Sequence, residues 1–382
     1  MNVTITPRPL RGQINVIPSK SQAHRLLICS AFADAPTQLI CSETNRDIEA
    51  TVDCLRALGA EIISTETGYA VSPVKNIPDS AICFCAESGS TLRFMLPIVG
   101  ALGVDATFVM EGRLGERPLS PLWEEMERMG CKLSRPADNT IRCTGKLKTG
   151  DYVIDGSISS QFITGLMFAH MLMKNCSLTI TGKLESKPYV DLTKAALELF
   201  ADRRSPGYIS VEGDWSNGAF WLAANSLGSE LRICGLNQDS LQGDQAVVDI
   251  LYQLENGTPT ISAADIPDLV PILSVVAAFK HGAIFTDIQR LRLKESDRVA
   301  SVITMLQNLG GSATATDSTL TIHPGKLTGG IVDSCNDHRI AMSAAIAATV
   351  CTEPVTILGA DAVNKSYPTF WAEYRRSGGK YE

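Results

Sequence analysis

Hydrophobic and polar positions alternate along the chain in two modes. Short alternating runs read as strands, and longer runs that are apolar on one face or nearly all round read as helices. One pattern recurs: a polar turn, an apolar helix rich in small residues, a strand, then a second, amphipathic helix. The first helices begin near Lys20 (KSQAHRLLICSAFA), Ser88 (SGSTLRFMLPIVGALG), Ile158 (ISSQFITGLMFAHMLM), Trp215 (WSNGAFWLAANSLG), Pro267 (PDLVPILSVVAAFKHG) and Asn336 (NDHRIAMSAAIAATVC). Strand-like runs follow at Thr37 to Ile40, Ala106 to Met110, Ser177 to Ile180, Glu230 to Cys234, Ala283 to Ile288 and Val355 to Leu358. Three second helices end alike, in CLRALGAEI, EMERMGCKL and MLQNLGGSA, where Gly59, Gly130 and Gly310 close the helix before a new strand. Two others, Leu192 to Phe200 and Asp249 to Leu254, lack that ending and the strand that should follow.

The spacings between first-helix starts are 68, 70, 57, 52 and 69 residues, and the short ones fall on those same two copies. Roughly 11 to 17 residues are therefore absent after Phe200 and again near Leu254, judged against the repeat's own period. A mass well above 41.1 kDa would show instead that the missing segments are present in the protein. Six copies of strand, helix, strand, helix and hairpin imply an α/β protein. Helices such as the one holding Ala341, Ser343, Ala344, Ala345, Ala347 and Ala348 should be buried on all sides.

Composition narrows the function. In 382 residues, 34 Lys and Arg stand against 41 Asp and Glu, a net charge of −7, so a broad nucleic-acid footprint is not expected. An anion site must be a local gathering of cations in an acidic body. The longest apolar uncharged run, Ile340 to Cys351, is far short of the roughly 18 residues of a membrane span. The opening Met1-Asn2-Val3-Thr4 reads as a strand without a secretion core, so export is not expected. Eleven cysteines without framework spacing read as reduced thiols, which suits a cytoplasmic protein. Cys83 and Cys85 alternate along a strand and suggest no metal site.

The candidate chemistry lies where the first helices open. Helix N-termini favour anions, and these carry cations as well: Lys20 and Arg25, Arg93, and Arg339. Ser159, Ser160 and Gln161 open the third copy with neutral donors. Arg117 (LGERPLSP), Lys294 and Arg298 (RLKESDR) and Lys365 (VNKSYP) add cations elsewhere. Any one of these alone reads as a solvated charge. Arg25, however, runs straight into Leu26-Leu27-Ile28, and Lys294 and Arg298 are four apart, which puts them on one helix face beside Glu295. Asp268 reads as a helix cap by position alone, and His338 as a structural hydrogen-bonder. No G-x-G-x-x-G follows a strand, which disfavours a dinucleotide fold.

Taken together, KSQAHR, ESGSTLRF, GERPLSP, SISSQFITGL, ESKPY, GDWS, SLQGD, DIPDLVPI, LRLKESDR, NDHRIAM and NKSYP resemble the ordered motifs of the 5-enolpyruvylshikimate-3-phosphate synthase family, from about residue 9 to 371. The resemblance implies a two-lobed inverse α/β barrel of six βαβαββ-type units, three per lobe around buried helices. It implies no metal and no organic cofactor. The substrates are shikimate-3-phosphate and phosphoenolpyruvate, with neither nucleic acid nor membrane as partner, and the protein is expected to be a monomer. The 5-hydroxyl of shikimate-3-phosphate attacks C2 of phosphoenolpyruvate while C3 gains a proton, and the adduct then loses phosphate.

Carried onto this chain, the resemblance assigns Lys20, Ser21, Arg25, Ser159, Ser160, Gln161, Ser186, Tyr189, Asp268 and Lys294 to shikimate-3-phosphate. Lys20, Gly89, Arg117, Gln161, Arg298, Arg339 and Lys365 go to phosphoenolpyruvate. Asp268 is the expected base, Glu295 the expected proton donor to C3, and Lys20 joins them as a catalytic residue. Glu87 departs from the Asn of many members, and Arg290 stands where some have Asn. The lobes are expected to take residues 1–19 with 235–382, and 20–234, with a hinge near 18–20 and 234–236 that closes on the phosphorylated substrate. The related UDP-N-acetylglucosamine enolpyruvyl transferases carry a Cys before the Arg-Pro pair, and FVMEGRLGERP has none; they also have Asn where this chain has Ser21. A non-catalytic metabolite-binding paralogue should have lost Asp268, Glu295 or Lys365, and all three are present.

Overall fold

The computed structural model describes all residues, Met1–Glu382. The chain forms two compact units, Pro18–Glu212 and Met1–Ile17 with Gly213–Glu382. Each has its own apolar core.

In the Pro18–Glu212 unit, strand Thr37–Ile40 pairs parallel with Tyr208–Ser210 and antiparallel with Gly68–Ser72, which continues to Glu61–Thr65. Asp105–Met110 repeats the arrangement, parallel to Ser80–Ala86 and antiparallel to Thr140–Gly145, which pairs with Cys131–Ser134. The third sheet stops at the parallel pair Gly150–Asp155 and Cys176–Thr181. The helices Lys20–Ala31, Gly89–Leu102 and Ser160–Leu172 are largely buried.

The other unit repeats this plan. Ala283–Thr286 lies parallel to Thr260–Ser262 and antiparallel to Thr319–His323, which pairs with Ser312–Ala315. Val355–Leu358 lies parallel to Gly330–Asp333 and antiparallel to Val3–Thr6, which in turn pairs antiparallel with Lys380–Tyr381 at the other chain end. The third sheet is again only a parallel pair, Arg11–Asn15 with Glu230–Cys234. Trp215–Ser226, Val270–Phe279 and His338–Ala347 are the buried helices.

The two-stranded sheets fall on the two copies with short spacing. After Leu199 the chain turns through Ala201–Arg203 directly into Tyr208–Ser210, and after Asn256 it enters Thr260–Ser262. No hairpin intervenes at either place.

Two expectations need correction. The second crossover lies at Glu212–Gly213, not near 234–236. Glu230–Cys234 pairs along its whole length with Arg11–Asn15, and Trp215, Ala219, Phe220 and Trp221 pack into the core that Val3, Ile5 and Ile14 share, so the Trp215 copy belongs to the unit that holds the chain ends. Backbone crowding marks the spot: a Cβ on Gly213 would meet the Gly235 carbonyl oxygen at 2.3 Å. Lys294 and Arg298 also do not share a helix face. The Asp297 carboxylate accepts from the amides of Val299 and Ala300 and starts the helix at Arg298, which leaves Lys294 in the preceding loop after Gln289–Leu293.

Candidate active site

In the Pro18–Glu212 unit, Ser19 caps the helix that carries Lys20, Ser21 and Arg25. The Arg25 guanidinium is 2% exposed. It donates to the Thr193 hydroxyl (2.9 Å), the Ser21 carbonyl (2.6 Å), the Tyr189 carbonyl (2.8 Å) and, more weakly, Thr164 (3.4 Å). All of these acceptors are neutral. Burial pulls Arg25 down to about 10, and it stays a cation at neutral pH with no carboxylate beside it. A buried unneutralised cation is costly unless an anion is meant to join it.

Lys20 differs, being paired with Asp47 at 2.8 Å. Asp47 also offers its carbonyl to Thr91, one end of a buried hydroxyl chain through Thr51 to His24. Burial first, then Lys20 and Arg25, hold His24 well below its usual range, so it is neutral.

A second group forms around Gly89. Ser88 caps the helix Gly89–Leu102 by accepting from the Thr91 amide. A Cβ on Gly89 would lie 2.8 Å from Arg117 Nη1 and 3.1 Å from Arg93 Nη1. Arg93 donates to Gln161 Oε1 (2.7 Å), and Gln161 donates to Ser90 (2.9 Å). Ser159 caps the helix that Ser160 and Gln161 begin. Ser186, at φ 55°, opens the helix that presents Tyr189. Gly89→Ala should keep the fold, because the crowding atoms are ends of flexible side chains. It should also displace the Arg117 guanidinium, which a crystal structure of the variant would show.

In the other unit the cations gather on acids. Asp268 is not the cap of Val270–Phe279; that cap is Leu269, without a side-chain bond. Its Oδ1 instead accepts from Arg298 Nη1 and lies 3.5 Å from Lys294, and its Oδ2 lies 3.7 Å from Arg339. Burial alone would raise the Asp268 carboxyl, but Lys294, Arg298 and Arg339 together hold it well below the usual carboxylate range. Burial brings Lys294 down to about 8 against the upward pull of Asp268.

Arg298, 1% exposed, contacts two further carboxylates: Glu295 at 2.8 Å and Asp337 at 2.9 Å. Asp337 caps His338–Ala347 through the Arg339 amide. Arg339 reaches back to Ser216, with Nη1 on its carbonyl and Nη2 on its hydroxyl, both at 2.9 Å. Lys365 donates to the Asn336 carbonyl at 2.7 Å, just ahead of that cap.

Within each unit, then, the residues singled out in sequence stand in shared networks. Asp268, Lys294, Glu295, Arg298 and Arg339 form one; Lys365 adjoins it through Asn336. Gly89, Arg117 and Gln161 meet around Arg93, while Arg25 links Ser21 to Tyr189. Sequence reading missed the partner acids Asp47 and Asp337 and the hydroxyls of Thr164 and Thr193. Only Asp337 carried a signal, as an acid placed just before a helix.

Buried cations at helix starts, set in a two-unit α/β scaffold, define a protein that handles small phosphorylated or carboxylated anions. The chain belongs to the EPSP synthase (3-phosphoshikimate 1-carboxyvinyltransferase) family, whose model matches residues 5–374. The 3-phosphoshikimate 1-carboxyvinyltransferase of Clostridium kluyveri is 37% identical over 418 aligned positions, covering 100% of this chain and 98% of that protein. The Clostridium novyi protein of the same name is 38% identical over 425 positions, covering 99% and 98%. Against 382 residues, the 418-position alignment leaves at least 36 positions with no residue in this chain. Among solved structures, an EPSP synthase from Acinetobacter baumannii matches with a TM-score of 0.79 over 100% of this chain and 99% of that one. At 23% identity it speaks for the fold alone.

Proposed function

This chain transfers the enolpyruvyl group of phosphoenolpyruvate to the 5-hydroxyl of shikimate-3-phosphate, a step of the shikimate pathway, and we propose the following division of labour among its residues. Arg25 carries the case for a phosphorylated substrate: it is a buried cation whose own partners are all neutral. Arg25, Lys20 and Ser21 take the shikimate phosphate and ring together with Ser159, Ser160, Gln161, Ser186 and Tyr189. Arg117, with Gly89 leaving room, serves phosphoenolpyruvate together with Lys20 and Gln161, as do Arg298, Arg339 and Lys365. Bringing several negative charges onto one enzyme needs this many cations, and Arg forks suit carboxylate and phosphate.

Asp268 and Lys294 handle the 5-hydroxyl. Asp268 was the expected base, but a carboxylate flanked by three cations is weakly basic. We therefore assign it to orienting the hydroxyl and give the proton to Lys294. Glu295 delivers the proton to C3 and takes one back from the resulting methyl group as phosphate leaves, which restores the double bond. It is held by Arg298 in the free protein, and the substrate carboxylate, by competing for that guanidinium, would release it to take up a proton. The remaining barrier falls through positioning and charge stabilisation.

A lysine that titrates near 8 is a proton acceptor only in its neutral form. The value of kcat/KM for shikimate-3-phosphate should therefore rise with pH and level off above about 8. Lys294→Arg should abolish both the rise and most of the activity. A flat profile through neutral pH would return the base role to Asp268.

The eleven cysteines are all unpaired and mostly buried, which supports a reducing, cytoplasmic setting. A monomer is expected, which light scattering would check. The function is tested by phosphate release from phosphoenolpyruvate in the presence of shikimate-3-phosphate or UDP-N-acetylglucosamine. Release is expected with the first alone. Release with the second alone would reassign the acceptor, and none with either would support the non-catalytic reading.

A further inference from the structure

The SLQGD motif has no part in the roles above, yet it ends in a buried carboxylate. Asp244 is 3% exposed and sits in the turn Gly243–Ala246 ahead of the helix Val247–Asn256. Gln242 anchors the turn: its Oε1 accepts from the Trp215 amide at 3.1 Å, and its Nε2 donates to the Gly213 carbonyl at 2.8 Å. Asp244 Oδ2 accepts a hydrogen bond from the Ser216 hydroxyl, while Oδ1 is buried without a partner. The same hydroxyl accepts from Arg339 Nη2, and the Ser216 carbonyl accepts from Nη1.

We infer that Asp244 is a positioning residue for Arg339, acting through Ser216. A serine hydroxyl has one hydrogen. Once that hydrogen is committed to Asp244, the oxygen's lone pairs must face Arg339. Without the acid, the hydroxyl is free to rotate, and Arg339 loses one of two acceptors that fix its plane. The competing acid is close, since Asp268 Oδ2 lies 3.7 Å from Nη2. The Asp244–Ser216 pair thus keeps the guanidinium from turning fully onto Asp268, where its fork would be spent. Burial first, then Asp268, push Asp244 up to about 7, and Arg339 works against that rise. The inference rests on the reading in which Arg339 contacts phosphoenolpyruvate.

The test measures kcat, KM for each substrate and thermal stability in five variants of the full chain. Asp244→Ala and Ser216→Ala should each raise KM for phosphoenolpyruvate by about tenfold and leave that for shikimate-3-phosphate within about twofold. The double variant should be no worse than either single one, because both break one relay. Asp244→Asn keeps an oxygen that accepts from Ser216, and it should restore KM to near the parent value. An unchanged KM in Ser216→Ala, or single effects that multiply in the double variant, would overturn the inference. So would Asp244→Asn behaving like Asp244→Ala. If Asp244→Ala does not fold, Ser216→Ala and Asp244→Asn still decide. Arg339→Ala separates the two levels: if it leaves KM for phosphoenolpyruvate unchanged, the reading of Arg339 fails and the inference with it. If Arg339→Ala raises KM while Ser216→Ala does not, only the inference fails.

Discussion

Arg298→Ala is expected to lower the stability of the fold by about 3–5 kcal/mol and to abolish turnover. The guanidinium is 1% exposed and joins Asp268, Glu295 and Asp337, the last of them fully buried. Removing it leaves the buried Asp337 carboxylate without its ion partner and loosens two acids that the chemistry needs. Urea denaturation should show a lower midpoint with an unchanged slope. Arg298→Lys should recover part of the stability, since a charge returns without the fork that meets three acids at once. Parent-like stability in Arg298→Ala would mean that these carboxylates are solvated or protonated in the folded protein.

Arg25→Ala should separate activity from stability in the opposite sense. No carboxylate depends on Arg25, so its loss leaves only carbonyl and hydroxyl oxygens to be satisfied. The midpoint should fall less than in Arg298→Ala. By contrast, kcat/KM for shikimate-3-phosphate should fall about 10²- to 10³-fold, as expected when one member of a buried charge pair with the substrate is truncated. Arg25→Lys should stay impaired, because one ammonium cannot hold Ser21 and Tyr189 while meeting a phosphate. Near-parent turnover in Arg25→Ala would remove the phosphate assignment.

Much of this was readable from residue order because the fold repeats. Helix starts announced themselves through capping residues, with Ser19, Ser88, Ser159 and Asp337 each accepting an amide where a helix was expected to open. The Leu-Gly endings were equally plain: Gly59 and Gly310 sit at φ 99° and 86°, where a side chain would be strained. The two short spacings pointed to sheets that stop at two strands. What escaped was long-range. Asp47 pairs with a lysine 27 residues away, and Asp244 acts on Ser216, 28 residues back. Nothing local distinguishes such acids from surface ones. Lys294 was misplaced because spacing by four looks helical, whereas Asp297 caps the helix too late to include it. The boundary after Glu212 was invisible because the pairing of Glu230–Cys234 with Arg11–Asn15 joins segments more than 200 residues apart.

The most direct test of the proposed chemistry is to run the purified chain with both substrates in deuterium oxide and follow the products by NMR and mass spectrometry. Addition at C2 with protonation at C3, followed by loss of phosphate and of one hydrogen from the C3 methyl group, predicts one phosphate per enolpyruvyl ether. It also predicts deuterium on the vinyl carbon, with neither seen when shikimate-3-phosphate is omitted or in Glu295→Gln. Phosphate released from phosphoenolpyruvate alone, or an ether formed at the parent rate by Glu295→Gln, would contradict it.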